Sequence, residues 1–307
     1  MNKLFTAIVF GLLVIISSSC SDPVKQSIKD SPTSGNLKVF CDKGLELQME
    51  NQAYTFESMY PGATINMQYV NEAEAIQGLF DDSCRTIVIN RSLNKTEEER
   101  FKAANIYVTS MFVGKSAVAL IVNPGATDTT ITSEALTALL SGDTSQTAFK
   151  SVIFESEKTG TALYCKDSLL QGKTLGKNCY AAKNISDLVA QIKDNKTAIG
   201  ILDYIWISDQ DDSLSKVIYP QIKLLGVAAK GNNTAYYPDQ SNIQTDDYPL
   251  TRRIYMIRRG ADFSLAAGFI TFVSGPDGQV MMLKSGLAPW RQPERIISVD
   301  VKPIEAQ

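Results

Sequence analysis

The stretch LKVFCDKGLELQMENQAYTFESMYPGATINMQYVNEAEAIQGLFDDSCRTIVIN, residues 37–90, decides the fold. Three short apolar runs, LKVFC (37–41), TINMQYV (64–70) and RTIVIN (85–90), read as strands. Between them lie two segments of helical spacing, Leu45 to Met59 and Glu72 to Phe80, broken by YPGA (60–63) and by Asp81-Asp82-Ser83. Strand–helix–strand alternation at this spacing predicts βαβ units and a mostly parallel sheet. A further helix is expected from Thr96 to Ala104, where three glutamates suit a helix N-terminus.

Downstream, KSAVALIVNP (115–124) is nearly all apolar and reads as a strand crossing into a second lobe. That lobe is expected to contain a helix from Ser133 to Leu140, strand SVIF (151–154), a helix from Thr161 to Leu170 and strand AIGIL (198–202). IKLLGVAA (222–229) reads as the return crossover, and YPLTRRIYMI (248–257) with the helix Leu265 to Ser274 as part of the first lobe again. The expected organisation is an α/β protein of two lobes joined by a two-strand hinge. Residues 37–117 plus 228–307 would form lobe 1 and 118–227 lobe 2, with no internal repeat.

Upstream, Lys3 precedes an apolar run from Leu4 to Ile16, then three serines and Cys20. This is the pattern of a secretory signal over 1–19, too short to span a bilayer as a stable helix. A cysteine at its end suggests lipidation of Cys20. Residues 20–36 then read as the lipidated cysteine and a flexible tether, rich in Pro, Ser and Gly. The expected location is the cell envelope, periplasm-facing or surface, with membrane contact through the lipid alone.

The 307 residues contain no histidine and carry a formal charge of −3. A Ser-His-Asp or Cys-His nucleophile system and His-rich zinc sites are therefore excluded, and general acid–base catalysis loses its commonest agent. A mildly acidic chain with no basic stripe is not expected to bind nucleic acid. No CxxC pair suggests a metal, and neither metal nor cofactor is expected. Cys165 and Cys179 are close enough in sequence for a disulfide in an oxidising compartment. Cys41 and Cys84 would lie at opposite ends of neighbouring parallel strands, too far apart to bridge. The acidic run DQDDS (209–213) lacks the Gly and distal Glu of an EF-hand loop and reads as a solvated turn. Trp206 and Trp290 read as packing residues.

In an open α/β sheet, ligands bind beyond the carboxyl ends of strands. Three segments fall there: Asp42-Lys43-Gly44, Asn90-Arg91-Ser92, and Glu155 to Thr161. Within the last, Thr159-Gly160-Thr161 combines close backbone approach, hydroxyls and the amides of a first helical turn, a combination suited to an anion and equally to an ordinary N-cap. Lys43 and Arg91 are candidate cations for the same cleft, or surface charges paired to a nearby glutamate. Asp42 or Glu155 would accept a hydrogen bond from a protonated oxyanion, or equally serve as a plain cap or surface acid.

Taken together, EAEAIQGLFDDSCRTIVINRSL (72–93), SAVALIVNP (116–124), TGTALYCKDSLLQGK (159–173), AIGILDYIWISDQDD (198–212), YPLTRRIYMI (248–257) and GFITFVSGPDGQVMMLKSGLAP (268–289) resemble the PstS-like phosphate-binding proteins of ABC transporters. The resemblance is to the shorter lipoprotein members of Bacteroidetes-type bacteria and covers Asn36 to Ile297. It implies the type II periplasmic-binding-protein fold, a ligand enclosed by lobe closure, and no chemistry on that ligand. The family's Ser-Gly-Thr phosphate loop falls on Thr159-Gly160-Thr161. Its arginine four residues earlier falls on Glu155, and its buried aspartate on Arg91. The expectation is a monomeric, lipid-anchored solute-binding protein with a small oxyanion, phosphate first, held by Asp42, Lys43, Gly44, Asn90, Arg91, Thr159, Gly160 and Thr161. Its partner would be an ABC permease or another envelope complex. The rival reading is an envelope scaffold or sensor on the same fold that has lost phosphate. An envelope hydrolase using carboxylates has no paired-carboxylate motif to support it.

Overall fold

The computed structural model describes residues 30–156, 159–260 and 262–293. The expected signal segment, Cys20 and the first part of the tether lie outside these residues. The strands are β1 (Gly35–Asp42), β2 (Ala63–Val70), β3 (Thr86–Ile89), β4 (Val108–Val122), β5 (Thr130–Thr132), β6 (Ser151–Phe154), β7 (Cys179–Ala181), β8 (Ala198–Asp203), β9 (Lys223–Leu224), β10 (Gly226–Ala228), β11 (Ala235–Tyr236), β12 (Thr251–Arg259) and β13 (Ala288–Pro289). The helices used below are α1 (Glu46–Met59), α2 (Glu72–Phe80), α3 (Lys95–Ala103), α4 (Ser133–Ser141), α5 (Gly160–Tyr164) and α6 (Ile185–Asp194).

One sheet runs through both lobes in the order β2-β1-β3-β12-β4-β8-β6-β7, with β13 and β9 also on β4. Within each lobe the pairing is parallel, β2-β1-β3 in the first and β8-β6-β7 in the second. The antiparallel pairs cluster where the chain crosses, β12 with β3 and β4, and β4 with β8. This is the two-lobed α/β architecture that the strand–helix alternation predicts. β4 is long because its first half belongs to lobe 1 against β12, and its second half to lobe 2 against β8. Ala117 through Val122 are fully buried, which a strand covered on both faces requires.

Local signals account for the helix starts. Asn71 with Glu74 and Asn94 with Glu97 form capping boxes at α2 and α3, satisfying two orphan N–H groups at each end. Gly142, with φ 102°, ends α4 in the left-handed conformation that glycine tolerates.

Four expectations are corrected. IKLLGVAA is not the return crossover. β9 lies on the end of β4, and β10 pairs in parallel with β5 in a separate three-stranded sheet with β11. The run is apolar because it is buried in lobe 2, and hydropathy reports burial without naming the partner. The chain is back on lobe 1 by Gln240, whose Nε2 donates to the carbonyls of Leu283 and Leu287. The boundary at residue 228 therefore moves about ten residues on, to the short connection between β11 and Gln240, and Leu250 afterwards meets β4, its carbonyl accepting from the Val118 amide. The tether ends before residue 36, since Gly35 and Asn36 already pair with Ala63 and Thr64. The helix expected from Thr161 starts at Gly160 and passes at Cys165 into a π turn ending at Leu169.

Fourth, Cys165 and Cys179 are free thiols, as are Cys41 and Cys84. Cys165 is buried in the helical segment, while the Cys179 thiol points to the Leu140 carbonyl. Cys41 stands in register with Val88, whereas Cys84 precedes β3, so those two do lie at opposite strand ends. Among the described residues no helix is long and apolar enough to cross a membrane.

Candidate functional site

Four parallel-strand ends converge between the lobes. β1 ends at Asp42, Asn90 follows β3, Glu155 follows β6, and β8 ends at Asp203. Each residue is at most 6% exposed. The crossing strand β12 brings Arg252, 3% exposed and in register with Ser116 of β4, against this group. The parallel topology forces the convergence, because the carboxyl ends of the strands in both lobes face the same gap.

The polar atoms form one connected network. Asp42 Oδ1 accepts from the Gly44 amide at 2.9 Å and from Asn90 Nδ2 at 3.5 Å. Ser116 Oγ donates to Asn90 Oδ1 at 3.2 Å. Arg252 Nη2 donates to Asp203 Oδ2 and reaches Ser116 Oγ at 3.5 Å. The Asp203 amide donates to Glu155 Oε2 at 3.0 Å. Thr161 Oγ1 donates to Glu155 Oε1 at 3.1 Å and meets Thr159 Oγ1 at 2.9 Å.

The lobes touch at glycines. A Cβ on Gly160 of lobe 2 would stand 2.9 Å from Asp42 Oδ2 of lobe 1, and one on Gly44 would stand 2.5 Å from Asp203 Oδ2. Both are closer than a Cβ tolerates, so the two glycines permit the close approach of the lobes.

Carboxylates outnumber cations in this network. Burial first, then the neighbouring Glu72 carboxylate, pushes the Asp42 acid up to about 7. Burial and then the Asp203 charge push Glu155 up to about 8. Burial also raises Asp203, against the downward pull of Arg252. Burial works against the charge on Arg252, but Asp203, Asp42 and Glu72 outweigh it and hold the guanidinium protonated. At neutral pH Glu155 is mostly a neutral acid, and Asp42 is divided between its two forms.

Two cavities flank the contact. The larger, about 290 Å³, has Glu72, Asn90, Gly160 and Arg252 as its buried lining. Leu163, Tyr164 and Tyr255 also line it, and Arg91, Ser92 and Arg253 stand toward solvent. Arg252 Nε and Nη1 are buried with no partner among the described residues. The smaller, about 130 Å³, is lined by Lys43, Gly44, Glu155, Thr159, Lys183 and Trp206 among others.

The structure divides the eight expected ligand residues. Asp42, Asn90 and Gly160 meet at the interlobe contact, and Gly44 packs beside them. Thr159 and Thr161 are present but turned inward. Thr159 Oγ1 caps its own helix at the Ala162 amide, and Thr161 donates to Glu155. Of the Thr-Gly-Thr loop only Gly160 lines the larger cavity. Lys43 is exposed and lines the smaller one.

Arg91 lines the larger cavity but is paired. Its Nε donates to Glu72 Oε2 at 3.1 Å, and Nη1 and Nη2 donate to Glu97 at 2.8 and 3.0 Å. Glu97 is held there as the capping-box residue of α3. The Glu97 hydrogen bonds lead in raising the Arg91 pKa.

Sequence reasoning missed Arg252 and Asp203. Arg252 belongs to a run, TRRIYMI, whose alternation marks it as the inward residue between two outward ones, and that was the available signal. Asp203 is the last residue of an apolar strand, buried along its whole length.

The sequence from residue 26 to residue 277 matches the family model described as the PBP superfamily domain. No curated protein matches the chain. Solved structures are similar in fold. A Clostridium perfringens protein described as a phosphate ABC transporter substrate-binding protein, with bound phosphate, has TM-score 0.66 and 14% identity, covering 84% of this chain and 100% of that one. An ABC-type phosphate transport receptor from Vibrio cholerae has TM-score 0.66 and 15% identity, covering 83% and 100%. The regulatory domain of MetR, a LysR-family regulator from N. meningitidis, has TM-score 0.55 and 10% identity, covering 84% and 100%. At these identities the likeness shows the fold.

Proposed function

This chain belongs to the PBP superfamily, and we propose that it is an extracytoplasmic solute-binding protein that encloses a small anion between its lobes. The observation that carries this reading is Arg252: a buried arginine of the interlobe cavity lining beside Gly160, with Nε and Nη1 unpartnered among the described residues. A buried donor without a partner is costly, and a bound anion would satisfy it. Arg252 thus takes the role that the missing family arginine leaves open, with Arg91 and Lys43 subsidiary. Lobe closure would then present the loaded protein to an ABC permease or another envelope complex, with the body anchored by lipid at Cys20. No reaction on the ligand is part of this reading.

Phosphate is the first ligand to test, because structural relatives are described as phosphate-binding. Isothermal titration of the mature chain with phosphate, repeated on Arg252→Gln, tests the role of the guanidinium. Saturable binding that survives the substitution unchanged removes Arg252 from the site.

One observation favours the rival reading, an envelope scaffold or sensor that has lost its ligand. The Asp42 carboxyl packs against Gly160, and Thr159 and Thr161 spend their hydroxyls within the protein. Thermal melts against phosphate, sulfate and small organic anions separate the two, since a ligand of the folded state raises the melting temperature by mass action. A flat panel decides for the scaffold.

A further inference from the structure

The charge and shape of the larger cavity bear on which anion it accepts, given the reading that an anion binds there at all. Three arginines line it, and each already faces a carboxylate. Arg91 is held by Glu72 and Glu97, Arg252 by Asp203, and Arg253 stands 3.7 Å from Asp246. Behind Gly160 and Arg252, Asp42 and Glu155 add two more buried carboxyls, neither in a salt bridge among the described residues. A dianion would bring two charges to a lining whose cations are already compensated. A monoanion brings one, and the unpartnered Nε and Nη1 of Arg252 are donors for it.

Size points the same way. A tetrahedral oxyanion fills roughly two water volumes, ~60 Å³ at ~30 Å³ each. The cavity holds about 290 Å³, close to the lower end for organic ligands. Among a mostly polar lining, Leu163, Tyr164 and Tyr255 give it an apolar wall, a surface that an organic body covers and an inorganic ion leaves wet.

We infer that this cleft is built for a small organic monoanion, a carboxylate whose acid group meets Arg252 and whose body lies along Leu163, Tyr164 and Tyr255.

The carboxyls behind the site make capture depend on protonation. Asp42 faces Glu72, Asp203 and Arg252, with Asn90 and the Gly44 amide on its oxygens. Glu155 faces Asp203, Arg252 and Thr161, and lines the smaller cavity with Lys43 and Lys183. Burial keeps both acids protonated to about 7 and about 8, so below neutrality they add no repulsion. As pH rises through those values each becomes a negative charge behind Gly160 and Arg252, and affinity falls.

Isothermal titration of the mature chain with benzoate, lactate and phosphate at pH 6.5 and 8.5 tests this. Both carboxylates are monoanions throughout, so any pH effect on them belongs to the protein. At least one carboxylate is expected to bind saturably at pH 6.5, tenfold or more tighter than phosphate at pH 8.5. Its affinity should drop tenfold or more between the two pH values. Glu155→Gln should shrink that drop, and Arg252→Gln should lose at least tenfold. Where Arg252→Gln does not fold, the wild-type pH arm decides alone: an affinity that stays flat overturns the inference. Phosphate binding tighter than both carboxylates at pH 8.5 also overturns it and leaves the solute-binding reading standing. No binding by any of the three overturns both.

Discussion

Replacing Glu155 by Gln should stabilise the protein, increasingly so as pH rises. Glu155 is 6% exposed, and its pKa is raised from 4.5 to about 8, burial being the leading cause. The folded state therefore binds a proton that the unfolded state releases near pH 4.5. Stability attached to this group is fully present below pH 4.5 and is lost as pH rises through about 8. The gap between the two values corresponds to about 5 kcal/mol at pH 8 and above, at ~1.4 kcal/mol per pH unit in between. Glutamine copies the protonated acid. Its oxygen can accept from the Asp203 amide, and its Nε2 can donate to Thr161 Oγ1, whose own proton turns to Thr159. Urea unfolding followed by circular dichroism at pH 5, 6, 7 and 8 measures the effect. With a slope of roughly 3 kcal/mol per molar urea for a chain of this size, the variant's midpoint should pull ahead by about 0.5 M per pH unit. A midpoint difference that does not change with pH, or a variant less stable than the parent at pH 8, refutes the assignment of a protonated Glu155.

Arg252→Met should destabilise the fold by about 3–4 kcal/mol at pH 7, because it strands the buried Asp203 carboxylate, and by less as the pH is lowered, since burial favours the protonated acid; urea midpoints across acid and neutral pH check it. Gly160→Ala places a methyl 2.9 Å from Asp42 Oδ2 and should open the lobe contact at a cost of about 1–3 kcal/mol, seen as a larger radius of gyration by small-angle scattering. Gly268→Ala drives a Cβ to 1.8 Å from the Pro32 carbonyl oxygen, against backbone that cannot yield cheaply. It should dislodge residues 30–34 from the helix Leu265–Ser274 and make that segment the first site of limited proteolysis, with the rest of the fold retained.

The fold class, the strand-to-helix order of lobe 1 and the first crossing through β4 are legible in the residues alone. Those features rest on local periodicity, and a fully apolar strand such as 117–122 declares its burial on both faces. The three loops beyond the strand ends were also legible, since a parallel sheet puts them on one edge. The return crossing between β11 and Gln240 and the place of β10 in its own small sheet come from long-range pairing, because hydropathy marks burial and not pairing. The tertiary structure likewise decided the chemistry of the cleft. Arg91, the conspicuous cation, is neutralised by a capping-box glutamate six residues on. Arg252 and Asp203 lie 49 positions apart in the chain and meet only where the lobes cross. A residue's charge is local, but its burial and its counter-ion are set by contacts distant in sequence. They determine whether a carboxyl is ionised and whether an arginine is free to bind a guest.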